Sequence, residues 1–275
     1  MKKKTTTSVG CEKCISKTIK FARGWSIDFS KRYCEAVLCE CVYGCEECGG
    51  TGFIRHFKDD GYSFIQPCGV CGNVRKNIKL YNQARIPAKF HEVVEIGSFH
   101  PKESAQRKAL QYVKEYVKDY PHKKGFLLMG AAGVGKTHLA LTAISVLTLG
   151  HGRRCLFKDF SDLLTDLKES YTQGSSENDI IEPLIETEVL VIDELGKGRS
   201  NEWELNILDQ IISKRYNASK QTLITTNLLT ANIESHSSRA KLEDRVGERI
   251  ESRLHEMCEF IHIQGQDHRK GENLV

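Results

Sequence analysis

The sequence predicts an α/β protein, a parallel sheet with helices on both faces, preceded by a small cysteine-rich domain. Three observations carry this expectation. From residue 126 onward, short apolar runs alternate with amphipathic stretches of helical length. A glycine-rich segment joins the first of those runs to the first long helix. Nine of the eleven cysteines fall between Cys11 and Cys71. Short apolar strands separated by helices need crossover connections, which place strands parallel and cover both faces of the sheet.

A chain of 275 residues with 40% apolar content is long enough for one ordinary domain and a smaller one. The composition changes near residue 90, and the expected division is a cysteine-rich domain over 1–84 and an α/β domain over 85–275. Arg85-Ile86-Pro87-Ala88-Lys89-Phe90 reads as a linker, because Pro87 disfavours helix at Ile86 and lacks a backbone donor. A run of about 18 apolar residues, the length that spans a bilayer, is absent from the sequence. Lys2 to Lys4 lead into Thr5, Thr6, Thr7 and Ser8 rather than into an apolar signal core. The expectation is a cytosolic protein without a membrane partner. In that compartment, closely spaced cysteine pairs point to metal rather than to disulfides. Residues 1–90 carry 16 Lys/Arg against 8 Asp/Glu, whereas residues 91–275 carry 24 against 28. Thiolates would offset part of the basic balance, since a four-cysteine zinc site has a net charge of about minus two.

The elements follow in order. Ala109, Leu110, Val113 and Val117 recur at helical spacing, so a helix is expected over 103–119, ended by Pro121. Next come a strand over 126–129, a helix over 136–149, a strand over 154–158 and a helix over 162–171. A polar loop at 174–178 precedes a short helix over 180–185 and a strand over 189–192. A helix over 203–216, a strand over 222–225, a helix over 243–254 and a strand over 260–263 complete the pattern.

Gly130-Ala131-Ala132-Gly133-Val134-Gly135-Lys136-Thr137 fits the spacing GxxxxGK[ST], directly after a strand and at the start of a helix. In that context the glycines let backbone N–H groups curl around phosphate oxygens, and the helix N-terminus adds a favourable dipole. Lys136 places a charge on the β/γ-phosphates, Thr137 can ligate magnesium, and His138 follows at the edge of the site. Val189 to Ile192 is an apolar run ending in Asp193 and Glu194, a magnesium-holding acid and a candidate general base for the attacking water. Asn227 closes another strand, where ligands of parallel sheets bind, and can report the γ-phosphate. ATP and Mg2+ are the expected ligands.

In the cysteine-rich half, Cys45/Cys48 and Cys68/Cys71 form two CxxC pairs with nineteen residues between them. The set suits one tetrahedral zinc, and residues 53–66 alternate enough for a hairpin. Cys11, Cys14, Cys39 and Cys41 can make a second zinc site, with Cys34 able to replace Cys39 or Cys41. Four thiolates leave no open coordination position, so either zinc is structural. Cys155 and Cys258 read as buried small residues.

These motifs resemble the DnaC/DnaI/IstB-like branch of AAA+ ATPases, replicative helicase loaders and transposition helpers, over about residues 85–270. The resemblance rests on Arg85-Ile86-Pro87 with Phe90, on Gly135 to Ala140, on Ile192 to Gly196 and on Thr225-Thr226-Asn227-Leu228. It also rests on Arg245 to Leu254, similar to the family's box VII helix, whose arginine reaches ATP in the neighbouring subunit. The resemblance implies that Arg253, supported by Arg249, is this finger, with Arg245 on the same helix face at i, i+4 spacing. It implies a homo-oligomer assembled on ATP and single-stranded DNA, since each site is completed by a neighbour. Only twelve residues follow Ile263, so a helical lid is truncated or missing, and Arg269 is a candidate substitute sensor. The resemblance places single-stranded DNA near 162–185, where Lys168 and Tyr171 are candidate contacts in a segment that is net acidic.

The expected function is an ATP-dependent replication helper that loads a replicative helicase onto single-stranded DNA. Two alternatives stand beside it: an IstB-like transposition helper, and a nucleotide-binding zinc adaptor without turnover.

Overall fold

The computed structural model describes residues 25–94, 98–122, 124–198, 200–231 and 241–268, without the side chains of residues 25, 41 and 92–94. Five strands form one parallel sheet: β5 (Gly125–Met129), β6 (Cys155–Asp159), β7 (Val189–Asp193), β8 (Gln221–Thr226) and β9 (Cys258–His262). Their order is β6-β7-β8-β5-β9, so from β5 the chain crosses to the far edge at β6, fills back inward through β7 and β8 to lie beside β5, and adds β9 at the opposite edge.

The period of two along β5 divides the core. Phe126 and Leu128 pack into one buried cluster with α3 (Ser104–Lys118) and α4 (Lys136–Leu149). Leu127 and Met129 join a second cluster on the opposite face, with α5 (Phe160–Gln173), α6 (Glu177–Glu186) and α7 (Glu202–Asn217). Strands with both faces covered have no polar side to show, and every residue of β5, β7 and β8 is buried. The helix starts follow local chemistry. Asp159 caps α5 by accepting from the Ser161 and Asp162 amides, and Asn201 caps α7 by accepting from Glu204.

The expected fold class is therefore present. From residue 98 onward the element positions follow the sequence pattern, with one break in a helix, and ahead of residue 98 the structure adds elements the pattern did not show. The helix expected over 243–254 is two helices, α8 (Leu242–Val246) and α9 (Glu248–Met257). Gly247 separates them with a φ of 82° and an extended ψ of 150°, which ends one helix and restarts the chain in a new direction. The segment 85–90 is not a free linker. Cys34 N–H donates to Ile86 O, Ala88 N–H to Arg32 O, and Ile86 is buried. A helix absent from the expected elements, α2 (Gly72–Gln83), packs against α4.

Ahead of α2 lie β1 (Trp25–Asp28) and β2 (Glu35–Leu38), paired antiparallel, a single turn α1 (Glu40–Tyr43), and the hairpin β3 (Phe53–Phe57) with β4 (Ser63–Pro67). The hairpin expected over 53–66 is thus observed. Cys34, Ala36 and Tyr81 belong to the same buried cluster as α3 and α4. The Asn77 amide donates to Leu149 O at the end of α4, 2.8 Å, and Phe157 N–H on the edge strand β6 donates to Ala84 O. Cys155 and Cys258 are buried, as expected. No helix among the described residues is long and apolar enough to cross a membrane.

Candidate functional site

The segment 130–135 turns sharply from β5 into α4, and its backbone requires glycine. Gly130, Gly133 and Gly135 have φ of 147°, 77° and 100°. A Cβ at Gly130 would lie 2.2 Å from Ile263 O, and one at Gly135 2.2 Å from the Phe99 ring. The loop is therefore close-packed, against Ile263, the Phe99 ring and the Asp267 carboxylate, and its positive-φ turns are those of a phosphate cradle. Lys136 Nζ is folded back into it, donating to Gly130 O (2.8 Å), Ala131 O (2.6 Å) and Asn227 Oδ1 (2.8 Å). An ammonium held on three oxygens at the mouth of a phosphate cradle can exchange those partners for an anion.

The ends of β7 and β8 supply the second wall. Thr137 Oγ1 donates to Asp193 Oδ1 at 2.9 Å, and Thr225 Oγ1 donates to the same oxygen at 2.5 Å. Burial raises the Asp193 carboxyl above its usual range, opposed by those two hydroxyl donors. A buried carboxylate beside a threonine hydroxyl is the donor set that a small hard cation requires, so these residues fit magnesium. Glu194 follows with a φ of 55°, its amide donating to Thr225 Oγ1 at 3.0 Å and its carboxylate paired with Lys197. A left-handed non-glycine residue at the end of a buried strand redirects its side chain, and here Glu194 lines the cavity.

That cavity, about 190 Å3, is lined by Phe90, Ala132, Gly133, Gly135, Lys136, Thr137, His138, Glu194, Thr225, Thr226, Asn227 and His268. It brings together Lys136, Thr137, His138, Glu194 and Asn227 as the sequence reading expects. The chain matches the sequence model of the IstB-like ATP binding proteins over residues 70–274. The chain belongs to this family. Among curated relatives, the replicative helicase loader DnaC of Escherichia coli K12 is 26% identical over 178 residues, 64% of this chain and 68% of that protein. Among solved structures, the DnaC helicase loader superposes with a TM-score of 0.55 at 31% identity, covering 62% of this chain and 97% of the other. DnaI superposes with a TM-score of 0.52 at 24% identity over 64% of this chain and 92% of DnaI, which speaks for the fold alone.

Arg245, Arg249 and Arg253 do not share one helix. Because Gly247 breaks it, Arg245 sits on α8 and donates to Gly198 O, while Arg249 and Arg253 stand on α9. The Arg253 guanidinium is held by Asp209 Oδ1 at 2.7 Å and Ser213 Oγ at 2.5 Å, both on α7, whereas Arg249 is 72% exposed. Lys168 and Tyr171 meet around Trp203. The Lys168 ammonium stands 5.3 Å from the Trp203 ring centroid, and the indole N–H donates to Tyr171 at 3.2 Å. Arg269 lies outside the described residues.

The four sulfurs of Cys45, Cys48, Cys68 and Cys71 lie within 4.8 Å of one another, with Cys45–Cys68 at 3.8 Å and Cys48–Cys71 at 3.5 Å. Sulfurs about 2.3 Å from a shared tetrahedral zinc stand a little under 4 Å apart, so the set fits that metal. The Gly52 amide donates to Cys48 Sγ at 3.2 Å, which favours thiolate there. Arg75, one turn into α2, donates to Gly50 O and approaches Cys71, placing a cation beside the sulfur cluster. Of the second set, Cys11 and Cys14 lie outside the described residues, as does the Cys41 side chain, and Cys39 is buried.

Sequence reasoning missed three residues of the nucleotide region, from two segments. Ser98 and Phe99 come from the loop before α3, where Ser98 Oγ pairs with His138 Nε2 at 2.8 Å and the Phe99 ring meets His138 edge-on at 5.2 Å. His268 comes from the tail after β9. Both segments lie far from the phosphate motif in sequence, and neither carries a periodic signal that ties it to the cavity. Burial, with His268 and His100 nearby, pushes His138 down to about 4, so its imidazole is neutral at ordinary pH.

Proposed function

We propose that this protein is an ATP-driven replication helper that loads a replicative helicase onto single-stranded DNA as a homo-oligomer. The observation that carries the reading is the convergence of Lys136, Thr137, Glu194 and Asn227 on one cavity, with Asp193 buried behind Thr137 and accepting its hydroxyl, in a chain related to the DnaC loader. In this reading Lys136 releases Gly130 O and Ala131 O and takes phosphate oxygens instead. Thr137 and Asp193 hold magnesium, which neutralises charge on the phosphates when bound. Glu194 orients the attacking water and accepts its proton once Lys197 yields, and Asn227 hydrogen-bonds the γ-phosphate. Arg253 leaves Asp209 and Ser213 to reach the site of a neighbouring copy, with Arg249 beside it.

The cysteine knuckle, with zinc on Cys45, Cys48, Cys68 and Cys71, grips the partner protein in this scheme. Turnover separates the proposal from a zinc adaptor that only binds nucleotide. Glu194→Gln leaves ATP binding intact and lowers hydrolysis about 100-fold or more, trapping ATP-bound assemblies. An adaptor is indifferent to the change.

The partner is tested by mixing the protein with the replicative helicase of its host, with and without ATP, and reading complex mass by light scattering during size-exclusion chromatography. A stable complex, lost on Cys45→Ser with Cys48→Ser, supports loading and places the grip in the knuckle. ATP-dependent assembly on DNA without any helicase complex shifts the reading to a transposition helper, which the family match also supports.

A further inference from the structure

The turn that follows β7 touches two openings in the surface. Glu194, at its start, lines the nucleotide cavity. Lys197, three residues on, lines a separate open groove of about 380 Å3 between α5 and the start of α7, whose polar lining is Ser161, Thr165, Lys168, Lys197, Asn201 and Glu204. Although Lys197 belongs to the groove, its ammonium is paired with the Glu194 carboxylate. One ion pair therefore connects the groove to the residue that faces the nucleotide.

The backbone of this turn is pinned. Glu194 N–H donates to Thr225 Oγ1 at 3.0 Å, Leu195 N–H to Thr225 O at 2.8 Å, and Lys197 N–H to Glu194 O at 3.1 Å. Arg245 donates to Gly198 O at 3.0 Å, and a Cβ at Gly196 would lie 2.4 Å from Leu228. The Lys197 side chain, by contrast, is 61% exposed, and an ion pair so open to water is weak and readily exchanged for another. Lys168 is the second cation of the groove. Its ammonium lies 5.3 Å from the Trp203 ring centroid and has no carboxylate partner among the described residues. The one carboxylate of the groove, Glu204, is buried and already accepts from Ser200 N–H and the Asn201 amide. The Ser161 and Thr165 hydroxyls now donate to backbone carbonyls and can turn to a ligand. Two ammoniums and two hydroxyls around an open groove suit phosphate oxygens.

We propose that this groove is a second anion site, for phosphate oxygens, and that its occupation draws Lys197 off Glu194, so that Lys197 is a positioning residue restraining hydrolysis until the groove is filled. The inference rests on the reading of Glu194 as the group that accepts the proton of the attacking water. While the ammonium stays on that carboxylate, it occupies the lone pairs that would take the proton, and its charge opposes the transfer. A phosphate in the groove offers the ammonium another partner within the sweep of one lysine side chain, and the pinned backbone does not have to move. Lys168 holds the same phosphate from α5. Free phosphate and the backbone of a nucleic-acid strand present the same oxygens, and the test separates these two sources.

The test is steady-state ATP hydrolysis by the full chain, read as ADP release, at a concentration where light scattering shows assembly to be complete. Inorganic phosphate or a single-stranded oligothymidylate is then added. The intact protein is expected to accelerate about 3- to 5-fold, the range set by an exposed ion pair. Acceleration by the strand alone makes a nucleic-acid backbone the source, acceleration by both shows that free phosphate suffices, and acceleration by neither overturns the inference. Lys197→Met is expected to raise kcat about 3- to 5-fold without any addition, to leave KM for ATP within about twofold, and to lose the response. Lys197→Arg keeps the ion pair and is expected to keep both the low basal rate and the response. A Lys197→Met kcat at or below that of the intact protein, or a response that survives the substitution, overturns the inference. Combining Lys197→Met with Glu194→Gln shows whether the gain runs through the carboxylate. The double variant is expected to be as slow as Glu194→Gln alone, and a gain that persists there overturns the inference. The other failure looks different. If the intact protein and Lys197→Met both stay at the Glu194→Gln rate with or without phosphate, the hydrolysis reading falls and the restraint with it. Hydrolysis that depends on Glu194 and ignores Lys197 overturns the restraint alone.

Discussion

The strands beneath the nucleotide cavity are buried at every position, whereas the hairpin that joins the two cysteine pairs is exposed almost throughout, with Phe57 at 76% and Ile65 at 61%. In the first region the site geometry follows from the core. Phe126 and Leu128 on one face, and Leu127 and Met129 on the other, fix the end of β5 and with it the phosphate loop. In the second region there is too little buried apolar surface to hold a hairpin, and four sulfurs within 4.8 Å must do so through whatever joins them. One site is a consequence of folding, and the other, in the proposed zinc-bound form, is a cause of it.

Metal removal gives the largest expected separation of the two. Structural zinc supplies on the order of 10 kcal/mol to small sites of this kind, so a strong chelator, or Cys45→Ser with Cys48→Ser, unfolds the knuckle. Hydrogen exchange by mass spectrometry is expected to show lost protection over 45–71 and unchanged protection over 125–129 and 189–193. Protection lost equally in both regions would show that the sheet, too, depends on the metal, and the contrast would fail.

A substitution in the other region sharpens the comparison differently. The cavity binds with its own residues, but the proposed turnover needs Arg253 from a neighbour, and that side chain is now tied to Asp209 and Ser213. Arg253→Ala is expected to reduce ATP hydrolysis about 1,000-fold while leaving ATP affinity within a few-fold. Mixing Arg253→Ala with Lys136→Ala is expected to restore part of the rate, because each supplies what the other lacks. Failure to complement in mixed assemblies would place Arg253 in its own subunit's structure, as a partner of α7 alone.

Acid offers a third handle, specific to the cavity side. His138 sits at about 4 when folded and near 6.5 when unfolded, so the unfolded chain takes up a proton that the folded chain refuses. Its contribution to stability is complete above about pH 6.5 and is lost as pH falls toward 4, at most about 3 kcal/mol over that window. The melting temperature of the sheet domain is expected to fall through this range, and His138→Gln, which cannot titrate, is expected to flatten the profile. An unchanged slope would assign the acid sensitivity elsewhere.

How far the two regions were legible in the sequence follows the same division. The strands from β5 onward, the phosphate loop, Asp193, Glu194 and Asn227 are all written locally, because the phosphate loop and Asp193 sit at the ends of apolar runs and Asn227 at the end of a β-branched one. The Cys45, Cys48, Cys68 and Cys71 set was equally readable, since CxxC spacing fixes each pair. What escaped depends on tertiary placement. The α2 helix is polar overall, and its short stripe of Val74, Ile78 and Tyr81 buries Tyr81 alone completely, so the stripe by itself did not reveal packing on α4. Ser98, Phe99 and His268 become neighbours of the cavity only because α3 and β9 flank β5 in space. Gly247 was visible as a residue, but an isolated glycine in a helical pattern is often tolerated, and only its φ of 82° reveals the break.

The smallest expected effect probes the seam between the regions. The Asn77 side chain on α2 donates to Leu149 O, one of the carbonyls left without an intrahelical partner at the end of α4. Its other neighbour is Gly152, whose φ of 63° and close approach to the Asn77 amide oxygen leave no space for a Cβ. Asn77 therefore joins the helix that follows Cys71 to the helix that begins at Lys136. Asn77→Ala removes a partly buried hydrogen bond, with an expected cost of about 1 kcal/mol in chemical denaturation. Zinc retention and ATP affinity are expected to stay as they were, because neither donor set changes. A larger loss of ATP affinity on Asn77→Ala would mean that α2 positions the phosphate loop through α4, and the two regions would then be parts of one device rather than neighbours.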